Sequence, residues 1–149
     1  MRAVVQRVAR ARVVVDGQAV GEIGRGLAIL LGVGPEDDEP TARGMVDKIV
    51  GMRIFEDDQG KTNLAATDVG AQVLVVSQFT LYADLSRGRR PGFTRAAPPA
   101  VAAPLVERFA ELLRGRGFKV ETGRFGADMA LELVNDGPVT IVLSTDGWG

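Results

Sequence analysis

Residues 73–81, Val73-Leu74-Val75-Val76-Ser77-Gln78-Phe79-Thr80-Leu81, constrain this chain more than any other stretch. Four consecutive apolar residues, three of them β-branched, predict a strand buried on both faces, and such a run ordinarily continues apolar or stops at a turn. Here it passes directly into Ser77, Gln78 and Thr80, interleaved with Phe79 and Leu81, which are expected to keep the segment anchored. Polar side chains at the end of a core strand are either satisfied by the protein or left to meet a ligand. Taken alone, the stretch is accounted for by hydroxyls and an amide that cap neighbouring loops. The composition moves the balance toward a ligand.

The chain contains no histidine and no cysteine. A nucleophile drawn from Ser77 or Thr80 therefore lacks the usual imidazole base, and neither a zinc-thiolate nor a zinc-histidine site can be built. If the polar strand end carries out a hydrolysis, its base comes from a carboxylate, a lysine or the substrate itself, with backbone amides stabilising the oxyanion.

At 149 residues with 46% hydrophobic content, the chain is expected to form one domain over residues 1–149. A chain of that size buries roughly two-thirds of its unfolded surface. A net charge of -1, from 18 basic and 19 acidic residues, excludes a bulk polycation that holds nucleic acid by charge alone. Only Lys48, Lys61 and Lys119 are lysines, so arginine, the better fork for phosphates, dominates; codon composition explains that bias as well as function does. Arg2, Arg7, Arg10 and Arg12 interrupt any signal-peptide core, and the longest apolar run, residues 27–33, is too short to cross a bilayer. A soluble cytoplasmic protein without a membrane partner is expected, in keeping with the missing cysteines.

Taken in order, residues 2–8 alternate as a strand, and Asp16-Gly17 inside residues 13–20 predicts a tight hairpin. Residues 27–33 read as a buried strand. The period then changes: Ala42, Met45, Val46, Ile49 and Val50 recur at three and four residues, predicting a helix over 36–51. Pro40 falls in its first turn, and Glu36, Asp37, Asp38 and Glu39 favour its dipole; this acidic run reads as a helix start, not a metal site. Residues 53–55 look like a short strand, with a turn over 56–60. A second helix is expected over 103–114, with Gly115 as its left-handed cap. Strands over 118–121, 127–134 and 139–143 follow, the last two joined at Asn135-Asp136-Gly137-Pro138 by a sharp turn between antiparallel strands. Between the central strand and the second helix, residues 82–99 form a long loop carrying Arg87, Arg89, Arg90 and Arg95 around Phe93. Long loops in compact domains are often functional, and this composition fits phosphate contact with base or ribose stacking; a solvated, mobile loop accounts for it as readily.

Gly21, Gly24, Gly26, Gly32 and Gly34 match neither a dinucleotide fingerprint nor a P-loop. Two helices among about eight strands, not regularly alternating, predict an α/β fold in β/β/α layers. The sheet is expected to be mixed and strongly curled, barrel-like, with both helices on one side.

Together the motifs resemble the D-aminoacyl-tRNA deacylases, also called D-tyrosyl-tRNA deacylases, which remove D-amino acids from mischarged tRNA. The resemblance spans the chain: residues 1–8, Ser77-Gln78-Phe79-Thr80-Leu81, residues 88–98, Phe125-Gly126-Ala127-Asp128-Met129, and Asn135-Asp136-Gly137-Pro138-Val139-Thr140. One departure is Gly92 before Phe93, where many relatives carry serine. The resemblance implies a catalytic segment of Ser77, Gln78, Phe79 and Thr80 in a backbone-lined cavity. Main-chain amides near Phe79 and Thr80 would support the oxyanion, and the 2′-hydroxyl of the terminal adenosine would assist. It also implies a homodimer in which Gly137 and Pro138, joined by a cis bond, enter the partner's pocket and reject L-residues. Arg7, Phe93 and Met129 would serve substrate binding and chirality, and Arg87, Arg89 and Arg90 the acceptor end of aminoacyl-tRNA. No metal or cofactor is implied, and glycyl-tRNA is an expected second substrate. Two other readings stand beside this one: an esterase with Thr80 as nucleophile, and a non-catalytic RNA-binding module.

Overall fold

The computed structural model describes residues 1–147. Its frame is β1 (Arg2–Val15), which turns at Asp16 and Gly17, φ 50° and 77°, into the antiparallel β2 (Gln18–Ile23). Both turn residues adopt the positive φ that a two-residue hairpin of this hand requires. The first half of β1 pairs with β3 (Gly26–Gly32), and along its whole length β1 pairs antiparallel with β8 (Ala130–Ser144). On the far side of β3 lie β6 (Gln72–Ser77) and β7 (Val120–Thr122), both parallel to it. The parallel neighbours need crossovers, supplied by α1 (Glu39–Gly51) and α2 (Pro99–Gly115). A small ribbon of β4 (Phe55–Glu56) and β5 (Thr62–Leu64) stands apart.

As expected, the sheet is mixed and barrel-like, with both helices on one side. Alternation along β6 divides two cores: Val73 and Val75 join Ile29, Leu31 and the apolar faces of α1 and α2, whereas Leu74 and Val76 join Val8, Val13 and Ile23 inside the curl. Curling brings β2 back to β7 so closely that a Cβ on Gly21 would lie 2.6 Å from the Thr122 carbonyl oxygen.

Several expected boundaries move, each for a local reason. The first helix begins at Glu39, not residue 36, because Asp38 is its N-cap: its carboxylate accepts from the Thr41 amide at 3.0 Å, and Thr41 Oγ1 accepts from the Asp38 amide. Asp37 turns away to accept from the Gly34 amide and the Met1 ammonium. The second helix starts earlier, at Pro99, and its left-handed residue is Gly117, not Gly115. The Gly117 and Phe118 amides donate to the carbonyls of Arg114 and Leu113 in a Schellman closure. The short strands expected over 53–55 and 118–121 lie one to two residues later, and β5 adds a strand to those expected.

The largest correction concerns Asn135-Asp136-Gly137-Pro138. No hairpin forms there; both flanking segments pair with the same partner and belong to one continuous β8. Between the pairs Arg10↔Val134 and Gln6↔Thr140, β1 advances four residues while β8 advances six, so the surplus is pushed out as a bulge.

Candidate functional site

The parallel ladder ends where Gln78 donates its amide to the Leu31 carbonyl at 2.8 Å, and the chain then winds into one 3-10 turn, Phe79–Tyr82. The turn can settle against β3 because Gly32 has no side chain; a Cβ there would lie 3.1 Å from both the Gln78 carbonyl oxygen and Leu81 Cβ. Phe79 is therefore not the anchor its sequence position promised. It is 56% exposed and meets the edge of Phe93 with ring centroids 4.9 Å apart at 73°. Inward anchoring falls instead to Tyr82, which is buried.

Beside this turn opens a cavity of about 620 Å³. Ser77, Gln78 and Phe79 form one wall, Phe93 and the stretch from Ala96 to Pro99 another, and Phe125, Gly126, Ala127 and Met129 a third; Leu30, Val33 and Val76 lie among the remaining lining residues. Among the described residues, no ionisable side chain lines it. Its polar groups are the Ser77 hydroxyl, the Gln78 amide and backbone. The first amides of a helical turn have no acceptor within the turn, and the Gln78 side chain does not cap this one; it donates instead to Thr80 Oγ1. Such donors beside a largely apolar cavity are suited to an oxygen that gains negative charge.

Of the residues predicted for the site, Ser77, Gln78, Phe79, Phe93 and Met129 come together around this cavity. Thr80 does not line it: the residue is exposed, and its hydroxyl is engaged with Gln78. Arg87, Arg89 and Arg90 are exposed on a small loop closed by paired bonds between Asp84 and Gly92 at 2.8 and 2.9 Å. Hydrogen bonds from Ser86, aided by the charges of Arg95 and Arg87, hold the Asp84 carboxyl below its usual range.

Arg7, Gly137 and Pro138 belong elsewhere. Gly137 and Pro138, joined by a cis peptide, are exposed at the crest of the β8 bulge and absent from the lining of their own chain's cavity. Arg7, only 4% exposed, braces the base of that bulge: Nε donates to the Asp136 carbonyl at 3.1 Å and a terminal nitrogen to the Ile54 carbonyl at 2.7 Å. Asn135 Oδ1 accepts from the Val139 amide at 3.1 Å across the neck. Sequence reasoning missed Ala96 to Pro99 and Phe125 as wall residues. Small residues ahead of a helix give no signal of which surface they cover.

The profile of the D-Tyr-tRNA(Tyr) deacylase family matches residues 4–144 of this chain. A D-aminoacyl-tRNA deacylase of Symbiobacterium thermophilum is 58% identical over 146 residues, covering 98% of this chain and 97% of its own. One of Thermotoga petrophila is 57% identical over 145 residues, covering 97% of each. Among solved structures, a c-Myc DNA Unwinding Element Binding Protein superposes with a TM-score of 0.91 at 42% identity, covering 97% of this chain and 99% of that one. A probable eukaryotic D-amino acid tRNA deacylase, 20% identical with a TM-score of 0.81 over 95% of this chain and 97% of its own, shares the fold.

Proposed function

Because the chain belongs to the D-Tyr-tRNA(Tyr) deacylase family, a family of hydrolases, we propose that it cleaves the ester between a D-amino acid and the terminal adenosine of tRNA. Water adds to the ester carbonyl, the carbonyl oxygen becomes an oxyanion, and the bond to the ribose oxygen breaks, that oxygen taking a proton. The observation that carries this reading is a cavity without one ionisable side chain in a chain without histidine. The protein then contributes no general base from the cavity wall, and proton transfer falls to the substrate's own 2′-hydroxyl. Amides at Phe79 and Thr80 hold the oxyanion. A Thr80 acyl-enzyme is disfavoured because the Thr80 hydroxyl is engaged by the Gln78 amide and the chain has no histidine to activate it.

Selectivity for D-residues is assigned to Gly137 and Pro138 acting in the cavity of a second copy. What supports this is their exposure on a braced bulge away from their own cavity. A wall of that kind rejects an L side chain and makes few contacts with a D side chain, so many D-residues, and glycine, are accepted. The enzyme is read as a homodimer of one deacylase domain per chain, acting in the cytoplasm on the acceptor end of aminoacyl-tRNA. Among the described residues no helix is long and apolar enough to cross a membrane.

The test is hydrolysis of D-tyrosyl-tRNA, L-tyrosyl-tRNA, glycyl-tRNA and a simple D-amino-acid ester. Cleavage of the first and third alone is expected. Cleavage of the free ester at an equal rate would favour a small-ester esterase, and no cleavage a binding module. For the cross-subunit wall, a chain with an impaired cavity is mixed with a Gly137→Ala chain, each inactive alone. Recovered activity is expected; none would put the wall within one subunit.

A further inference from the structure

Nothing in the cavity itself explains what fixes the orientation of the Phe79–Tyr82 turn, since Phe79 and Thr80 are exposed and Leu81 is only half-buried. The far end of the turn is different. Leu81 offers one of its last carbonyls, a group left without a donor inside a helical turn, and Arg2 fills it: a terminal guanidinium nitrogen donates to the Leu81 oxygen at 2.9 Å. The same guanidinium lies 4.3 Å from the centre of the Tyr82 ring, with its Nε 3.4 Å from Asp146 Oδ1 and another nitrogen donating to the Gly147 carbonyl at 3.1 Å. Tyr82 closes the circuit by donating its hydroxyl to Asp146 Oδ2 at 3.0 Å. Arg2 is 3% exposed and Tyr82 2%. Burial, with the neighbouring charges of Asp37 and Asp146, pushes the Tyr82 hydroxyl well above its usual pKa, which keeps it a donor.

Arg2 also stands opposite Gly32 in the β1–β3 register, and Gly32 is the residue on which the turn rests. Turn, strand start and the segment after β8 are thus tied at one point. A planar fork that stacks and donates in several directions is what this junction requires, and a lysine offers neither the plane nor the fork.

We infer that Arg2, stacked on Tyr82 and paired with Asp146, is a positioning residue for the deacylation reaction, setting the angle at which the opposite end of the turn presents its amides to the oxyanion. The inference rests on the amide reading above. Arg2 touches no reacting atom. Its effect reaches the chemistry through one short turn, where a displacement of about 1 Å is enough to cost on the order of 10²-fold in rate.

The experiment compares kcat and KM on D-tyrosyl-tRNA for the full-length parent, Arg2→Met, Arg2→Lys and Tyr82→Phe, with thermal unfolding of each. Expected for Arg2→Met is a fall in kcat on the order of 10- to 100-fold at unchanged KM, measured well below its unfolding temperature. Arg2→Lys falls between parent and Arg2→Met, and Tyr82→Phe shows a smaller fall of the same kind. An unchanged kcat in folded Arg2→Met, or a rise in KM alone, overturns the inference. Should Arg2→Met fail to fold, unchanged kcat in both Arg2→Lys and Tyr82→Phe overturns it equally. A backbone ester at residue 80, which removes the Thr80 N–H, separates the two ideas. If the ester leaves the rate intact, the amide reading is wrong and this inference goes with it. If the ester slows hydrolysis and the Arg2 variants do not, the positioning role alone is wrong. Combining ester and Arg2→Met is expected to cost little more than the ester alone.

Discussion

The cavity beside β6 and the bulge on β8 are built on opposite principles. The cavity is walled by apolar side chains and backbone, contains no ionisable group, and keeps its shape because Val76 and Leu30 belong to, or pack against, the inner core. The bulge has no such neighbours. Gly137 and Pro138 are exposed, and their placement depends on the buried Arg7 guanidinium beneath them and on Asn135 across the neck. A region that packing holds can leave its backbone donors free for a ligand, whereas a region that projects into solvent needs directed polar bonds to hold one conformation. The proposed function accordingly puts chemistry in the first and discrimination in the second.

The largest expected effect tests the uncharged cavity. Replacing the terminal adenosine by its 2′-deoxy form is expected to cost on the order of 10² to 10⁴ in single-turnover rate, the share of a proton-transfer catalyst. Thr80→Ala is expected to keep appreciable hydrolysis. Isolation of an ester-linked aminoacyl group on Thr80 would reverse the assignment.

Next comes the brace under the bulge. Arg7→Met strands the carbonyls of Asp136 and Ile54, and the variant is expected to lose on the order of 3 kcal/mol in urea unfolding while hydrolysing L-tyrosyl-tRNA relatively faster. Lost stability with unaltered D-over-L preference would detach the bulge from chirality.

Gly137→Ala is expected to cost the same element less stability. At φ 130° the new Cβ would stand 2.9 Å from Val139 Cγ2 and 3.0 Å from an Arg7 nitrogen, for a cost of about 1 to 3 kcal/mol. Calorimetry of the variant measures it directly, and a cost near zero would mean that the bulge relaxes freely.

Smaller still is the contribution of the loop closed by Asp84 and Gly92. Neutralising Arg89 and Arg90 together is expected to reduce the slope of log affinity for tRNA against log salt by about one or two. An unchanged slope would place that loop away from the phosphates.

Titration gives the smallest signal, and its sign separates site from scaffold. With no histidine in the chain and no ionisable group in the cavity, log kcat is expected to show no protein inflection between about pH 5.5 and 8. Stability behaves otherwise. The Thr41 side chain, then the Thr41 amide, hold the Asp38 carboxyl below its usual range, and Glu39 is held low by Arg108. Asp146 also lies low, because bonds from Ser144 and Tyr82 and the nearby positive charges outweigh the burial that pushes it up. A lowered carboxyl stabilises the fold above its unfolded pKa, so this contribution is present above about pH 4 and lost as pH falls through the lower folded values. Tyr82 is raised, so its contribution is complete below its unfolded pKa near 10 and disappears as the solution becomes more alkaline than its folded value. Acid and alkaline melts read both limbs.

Local chemistry determined much of this protein. The unbroken apolar run of residues 73–76 fixed β6 as a core strand buried on both faces, Asp16-Gly17 fixed the hairpin, and apolar recurrence at three and four residues placed the first helix to within a few residues. The missing histidine and cysteine exclude an imidazole base, a thiolate nucleophile and zinc-thiolate or zinc-histidine sites. These properties depend on near neighbours along the chain, which a sequence displays. What tertiary structure decided depends on partners far away in sequence. Asn135-Asp136-Gly137-Pro138 satisfies the local requirements of a hairpin turn and of a bulge alike, and only the pairing of both flanks with β1 selected the bulge. Phe79 had the apolar character of an anchor, yet Gly32 on β3 let the turn settle in the orientation that leaves Phe79 in solvent and buries Tyr82. Arg2 read as one more N-terminal arginine until the fold brought Leu81, Tyr82 and Asp146 around it, because a side chain's partners are set by the closing of the sheet and not by the residues beside it.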